Sequence, residues 1–152
     1  MNTRWRQKKK MTGYTFSKLQ IWNASDTMVS FILPLLKEFK KMNRHGYPDR
    51  DESTDTPEKW EAILDRMIYS FDQIHREYPD SPRNLANERM LKDHPDVYDY
   101  TLEKETRTMH YLHQDWFKEY FTKAVKEEEL AYRKQVEEGL ILFGRYLQDL
   151  WD

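Results

Sequence analysis

Residues Glu105–Trp151 read ETRTMHYLHQDWFKEYFTKAVKEEELAYRKQVEEGLILFGRYLQDLW, and this stretch decides the fold. It contains no proline, and its apolar residues recur at steps of three and four. Met109, Leu112, Trp116, Tyr120 and Phe121 mark one stripe. Val136, Leu140, Phe143, Leu147 and Leu150 mark a second. Such steps keep one face of a helix buried. The pattern slips at Lys126–Glu129, so the spacing predicts one long helix bent there. At ~1.5 Å per residue it would run roughly 65–70 Å. The other helices are expected to pack along it. The fold class that follows is all-α, a helical bundle of two core helices on a long C-terminal helix.

The chain has 152 residues, enough for one domain with a sizeable core. Aromatics make up 14% of it, which argues against a disordered chain even at a mean hydropathy of −1.02. It has no cysteine, which excludes a disulfide framework, a zinc ribbon and a thiol nucleophile. No apolar run approaches the ~20 residues of a membrane span, so a cytoplasmic location is expected. Residues 1–13, with Arg4, Arg6 and Lys8–Lys10, read as a flexible basic arm ahead of a single helical domain, 14–152. Charge is divided unevenly. Residues 1–50 carry 11 Lys/Arg against 3 Asp/Glu, and the remainder 14 against 24. The two parts can neutralise each other within one fold or across a homo-oligomer interface, or leave a basic patch for an anion.

Residues 14–22 alternate only in part and read as extended coil anchored by aromatics. A helix is expected over about 25–43, apolar nearly all round and therefore central, with a kink at Pro34. Lys37, Lys40, Lys41 and Arg44 gather near its end, where cations complement the helix dipole. Thr56-Pro57 opens a helix over 56–75, because threonine caps and proline suits the first helical position. Its stripe is Trp60, Ile63, Leu64, Met67, Ile68, Phe71 and Ile74. Pro79, Pro82 and Pro95 make 76–104 an irregular excursion, with a short helix over 82–92.

His110 and His113 stand three apart in the expected long helix, with Glu103, Glu105 and Asp115 nearby. They are the candidate metal ligands, and with them a metal-dependent hydrolase is one reading. The paired Glu-x-x-His of di-iron bundles and the His-Glu-x-x-His of zincins are both missing. With only 4 glycines there is no phosphate-cradling loop and no Gly-x-Ser-x-Gly elbow. Binding without catalysis or a cofactor is the favoured class. The candidate ligand-binding residues are Trp22, Lys37, Lys41, Arg44, His45, Tyr47, Arg50 and Arg76, with Tyr78 and Arg83 joining them if the chain folds back. Cations hold phosphates and aromatic faces stack on bases, so the expected ligand is an anionic nucleotide-type small molecule.

Four groups of residues also carry a resemblance. They are Trp22 with Asp26; Phe31-Ile32-Leu33-Pro34 with Leu36 and Phe39; Trp60, Ile63-Leu64-Asp65 and Met67-Ile68; and Glu138-Gly139-Leu140, Leu142-Phe143, Tyr146 and Leu150-Trp151. Together they resemble a family of small tailed-phage proteins, over the two core helices and the C-terminus. The resemblance implies a bacteriophage origin and a small non-enzymatic protein acting in the host cytosol. Two roles in counter-defence follow from it by analogy: sequestering a nucleotide-type immune signal, or inhibiting a host protein.

Overall fold

Ser17 accepts a hydrogen bond from the Gln20 amide, and the Gln20 side chain accepts one back from the Ser17 amide. This reciprocal capping box turns Lys18–Trp22 into a short helix, α1, in place of the extended coil expected there. The computed structural model describes residues 17–42 and 46–150. The basic arm, Arg44 and His45 lie outside the described residues.

The order continues with α2 (Ala24–Lys41), α3 (Pro57–His75) and α4 (Pro82–Asp93). Strands β1 (Tyr100–Glu103) and β2 (Thr108–Tyr111), helices α5 (Gln114–Tyr120) and α6 (Lys123–Tyr146), and a 3-10 turn at Leu147–Asp149 complete it. The chain is mostly helical with one small antiparallel sheet. No helix among the described residues is long and apolar enough to cross a membrane.

The expected long C-terminal helix is overturned. Its first residues form the turn and second strand of the β1–β2 hairpin, with Tyr100 opposite Tyr111 and Leu102 opposite Met109. Thr101, Thr108, Tyr100 and Tyr111 are strand formers that cost helix stability. Arg107 closes the turn in the left-handed region, at φ 55°. The helical break falls at Phe121–Thr122, not at Lys126–Glu129. There Thr122 accepts from the Val125 amide and caps α6. At ~1.5 Å per residue α6 is only about 36 Å long.

Helix α3 starts as expected, with Thr56 capping and Pro57 in its first turn. It packs against both α2 and α6. The core joins Val29, Leu33 and Leu36 of α2 to Trp60, Ile63, Leu64, Met67 and Phe71 of α3, and to Tyr146 of α6. Trp60 meets Tyr146 edge-on at 5.5 Å, and Phe71 meets Phe143 at 5.0 Å. Gly139 allows the close approach of α6. A Cβ there would lie 2.5 Å from the Arg66 carbonyl oxygen. Leu140 of α6 and Leu147 of the 3-10 turn, both expected in the buried stripe, are exposed.

The reading of α2 as buried all round is also corrected. Met28, Phe31 and Leu35 are more than half exposed. The side of α2 that faces α3 carries Val29, Leu33 and Leu36, and one neighbouring helix covers one face only. Pro34 is accommodated inside the helix. The excursion at 76–104 is ordered, with α4 over nearly the span expected of it and β1 at its end.

Candidate ligand cleft

Ser81 caps α4 and Pro82 occupies its first turn. The Glu129 carboxylate of α6 accepts from the Ser81 hydroxyl at 2.5 Å, the Arg83 amide at 3.1 Å and Arg133 Nε at 2.6 Å. Burial works against its charge, but the Ser81, Arg133 and Arg83 bonds outweigh this and hold the carboxyl below its ordinary value. An anion at a helix N-terminus also complements the helix dipole. Glu129 thereby fixes α4 on α6.

The turn before α4 is held from the same side. Glu77 and Tyr78 both take positive φ, 57° and 60°, a conformation that costs roughly 1–2 kcal/mol per residue. Asn84 offsets this by donating to both of their carbonyls at 2.9 Å. Behind them, buried Tyr132 donates to Gln73 Oε1 at 2.7 Å, and Gln73 donates to Asp80. Burial pushes the Tyr132 phenol up to about 12, so it stays a donor.

This framework leaves a cleft of about 480 Å³ between α4, α5 and α6. Arg83 and Arg133 line it with charge, Asn84 and Asn87 with amides, and Tyr98, Phe117 and Phe121 with rings. Arg133 is held in place by Glu129 and lies over the Tyr78 ring at 3.9 Å. Tyr98 donates to Asn87 Oδ1, which leaves the Asn87 amide hydrogens to face a ligand. Phe117 and Phe121 stack at 6.3 Å, and Tyr98 leans on Phe117 at 5.8 Å. A second hollow of about 350 Å³ shares Arg83 and Phe121 and adds Lys126. The Arg83 guanidinium and the Lys126 ammonium make no ion pair among the described residues.

The residues expected to bind fall elsewhere. Lys37 and Arg76 both contact Asp72 of α3, Lys40 pairs with Asp65, and Lys41 pairs with Glu38. Burial raises Asp72, but the Arg76 and Lys37 contacts outweigh it and bring its carboxyl below the ordinary value. Arg50 pairs with Asp149 at 2.9 Å and lies over Tyr146. Among the described residues, Lys37, Lys40 and Arg50 of the basic part are thus neutralised by acids of the remainder of the chain. Trp22 ends α1 and Lys41 ends α2, so the whole length of α2, roughly 27 Å at ~1.5 Å per residue, lies between them. They do not share one pocket, which corrects the expected stacking of Trp22 beside the basic cluster. Tyr47 is exposed. Among the described residues of the expected set and its companions, only Arg83 and, through Arg133, Tyr78 reach the cleft.

His110 and His113 do not face one ion from a helix. His110 sits on β2, 3.5 Å from Glu103. His113 precedes α5, 3.5 Å from Asp96, and stacks on Trp116 at 4.0 Å. Among the described residues no three His, Asp or Glu side chains are close enough to hold a metal.

No protein-family model matches the chain, and no curated protein or solved structure is significantly similar to it. The residues of the cleft therefore carry the functional reading. Asn87, Tyr98, Phe117, Phe121 and Arg133 escaped the sequence reading. The Thr122 cap was the one local signal that would have separated α5 from α6 and brought the Phe117–Phe121 pair to a helix end.

Proposed function

We propose that this is a non-catalytic binding protein whose α4–α5–α6 cleft takes an anionic, ring-bearing small molecule of the nucleotide type. In this reading α2, α3 and α6 form a helical bundle that serves as scaffold. The single observation that carries it is Arg83. Among the described residues its guanidinium has no ion-pair partner, and it stands beside a fixed Arg133 and a wall of three aromatic rings. Guanidinium groups bind phosphates through charge-assisted bonds, and bases stack on aromatic faces. The resemblance to small tailed-phage proteins supports a counter-defence role in the host cytosol, with the nucleotide as an immune signal to be sequestered. The exposed apolar side of α2 favours a second reading, in which a host protein is the partner.

Calorimetric titration with linear and cyclic nucleotides tests the first reading. Heat is expected with wild type, and an affinity about tenfold lower or worse with Arg83→Ala, the loss of one bond of about 1.5–3 kcal/mol. The thermal midpoint should not move, since Arg83 is exposed. Silence with every nucleotide would reject the cleft as a nucleotide site and leave the protein-partner reading.

A further inference from the structure

The cleft of about 480 Å³ does not end at Arg83. The hollow of about 350 Å³ beside it shares Arg83 and Phe121 and is completed by Val125, Lys126 and Glu129. Spacing on α6 explains its wall. Lys126, Glu129 and Arg133 stand at steps of three and four, so they share one face of the helix. That face meets the start of α4, where the Arg83 amide donates to Glu129. The three charges on it are not equivalent. Glu129, in the middle, is fully engaged: Arg133 Nε donates to one carboxylate oxygen, and the Ser81 hydroxyl and the Arg83 amide donate to the other. Arg133 and Glu129 thus offset each other at contact distance. The Arg83 guanidinium and the Lys126 ammonium are left over, with no ion-pair partner among the described residues.

Position separates the cations. Arg133 lines the larger hollow alone and is fixed there by Glu129 and by the Tyr78 ring at 3.9 Å. Lys126 lines the smaller one alone. Between them lie nearly two turns of α6, roughly 10 Å at ~1.5 Å per residue. The Glu129 carboxylate stands midway on the same face and repels an anion placed to bridge them. Arg83 lines both hollows, so it can share one anion with Arg133 and another with Lys126. We infer that the ligand carries two phosphate groups, one in each hollow, an inference that rests on the nucleotide reading of the cleft. The ring belongs in the larger hollow, because Tyr98, Phe117 and the Asn87 amide line that one only. The first phosphate then sits between Arg83 and Arg133, and the second between Arg83 and Lys126, each held by charge-assisted hydrogen bonds. A ligand with one phosphate leaves the Lys126 charge unmatched.

Calorimetric titration of the full chain in magnesium-free buffer tests this, with adenosine and guanosine mono- and diphosphates and a 5′-phosphorylated adenosine dinucleotide. A ligand with two phosphates is expected to bind about tenfold more tightly than the monophosphate of the same base. Lys126→Ala should erase that gain and leave the monophosphate affinity unchanged, and Lys126→Arg should keep it. Lys123→Ala, one turn earlier and paired with Glu127 at 3.6 Å, should change neither. Both lysines are exposed, so the thermal midpoint should hold in every variant. A larger gain with the diphosphate assigns both phosphates to one nucleotide, and a larger gain with the dinucleotide assigns them to two. Equal affinity for one and two phosphates, with binding still weakened by Arg83→Ala, would overturn the second phosphate site and leave the nucleotide reading standing. A gain that survives Lys126→Ala, or that Lys123→Ala lowers equally, would overturn its placement at Lys126. No heat with any of these ligands would overturn both.

Discussion

Replacing Gly139 by alanine tests the seat of α6 on α3. A Cβ at this position would stand 2.0 Å from Ser70 Oγ, 2.7 Å from Ser70 Cβ and 2.5 Å from the Arg66 carbonyl oxygen. The hydroxyl can rotate away, but it donates to that same carbonyl at 3.1 Å. The carbonyl cannot move, because it belongs to the backbone of α3. The helices must therefore separate by several tenths of an ångström around a packed core. Overpacking of this kind costs about 1–3 kcal/mol, and contact with backbone favours the upper end. Alanine recovers about 1 kcal/mol of helix propensity in the same substitution. The net expectation is a loss of about 1–2 kcal/mol. Gly144, on the same helix, has nothing within 4 Å of an added Cβ. Gly144→Ala should therefore stabilise by about 0.5–1 kcal/mol, from propensity alone. The two variants should move in opposite directions. For a chain of this size each kcal/mol shifts Tm by about 2–4 °C, so calorimetric or circular dichroism melts resolve the sign. A Gly139→Ala protein as stable as Gly144→Ala would refute the close approach of α6 to α3 at this point.

Two further outcomes follow from the packing and the charges. Leu64 is fully buried among α2, α3 and α6, so Leu64→Ala should lower unfolding free energy by about 2–5 kcal/mol in urea titrations; a loss below ~0.5 kcal/mol would mean a surface position. The Glu129 carboxyl is held below its ordinary value of 4.5 in the fold. Its contribution is fully present above 4.5 and is lost as pH falls through the lower folded value. Glu129→Gln should therefore flatten the acid limb of the stability–pH curve, and an unchanged limb would show that Glu129 does not anchor α4.

Some signals whose deciding interaction lies within one turn of the chain were legible, while the Ser17–Gln20 capping box and the Thr122 cap, equally local, were not read. Thr56-Pro57 opens α3, a short helix begins at Pro82, and the α3 stripe from Trp60 to Phe71 faces inward. These depend on capping bonds and 3.6-residue periodicity, which neighbouring residues determine. The same reasoning failed across 100–122. Met109, Leu112 and Trp116 sit at helical spacing by coincidence. Strand pairing of Tyr100 with Tyr111 and the cap at Thr122 decide the outcome there. Periodicity alone does not distinguish a helix from a β-ribbon followed by two shorter helices.

The candidate site was less legible, for a related reason. The basic cluster at Lys37 and Lys40 looked free because its partners, Asp72 and Asp65, lie some 25–35 residues away in sequence. Only the packing of α2 on α3 brings them together. The cleft draws Arg83 and Asn87 from α4, Tyr98 from the segment before β1, Phe117 from α5 and Arg133 from α6. None of these residues has a spacing that marks it. The sequence by itself determined the helical character, the Thr56 cap and the α3 core face, because these are short-range effects. Which cations are neutralised, and which converge with aromatic rings on one cleft, only the tertiary structure decided, because Coulomb and stacking forces depend on distance in space, and separation along the chain does not report it.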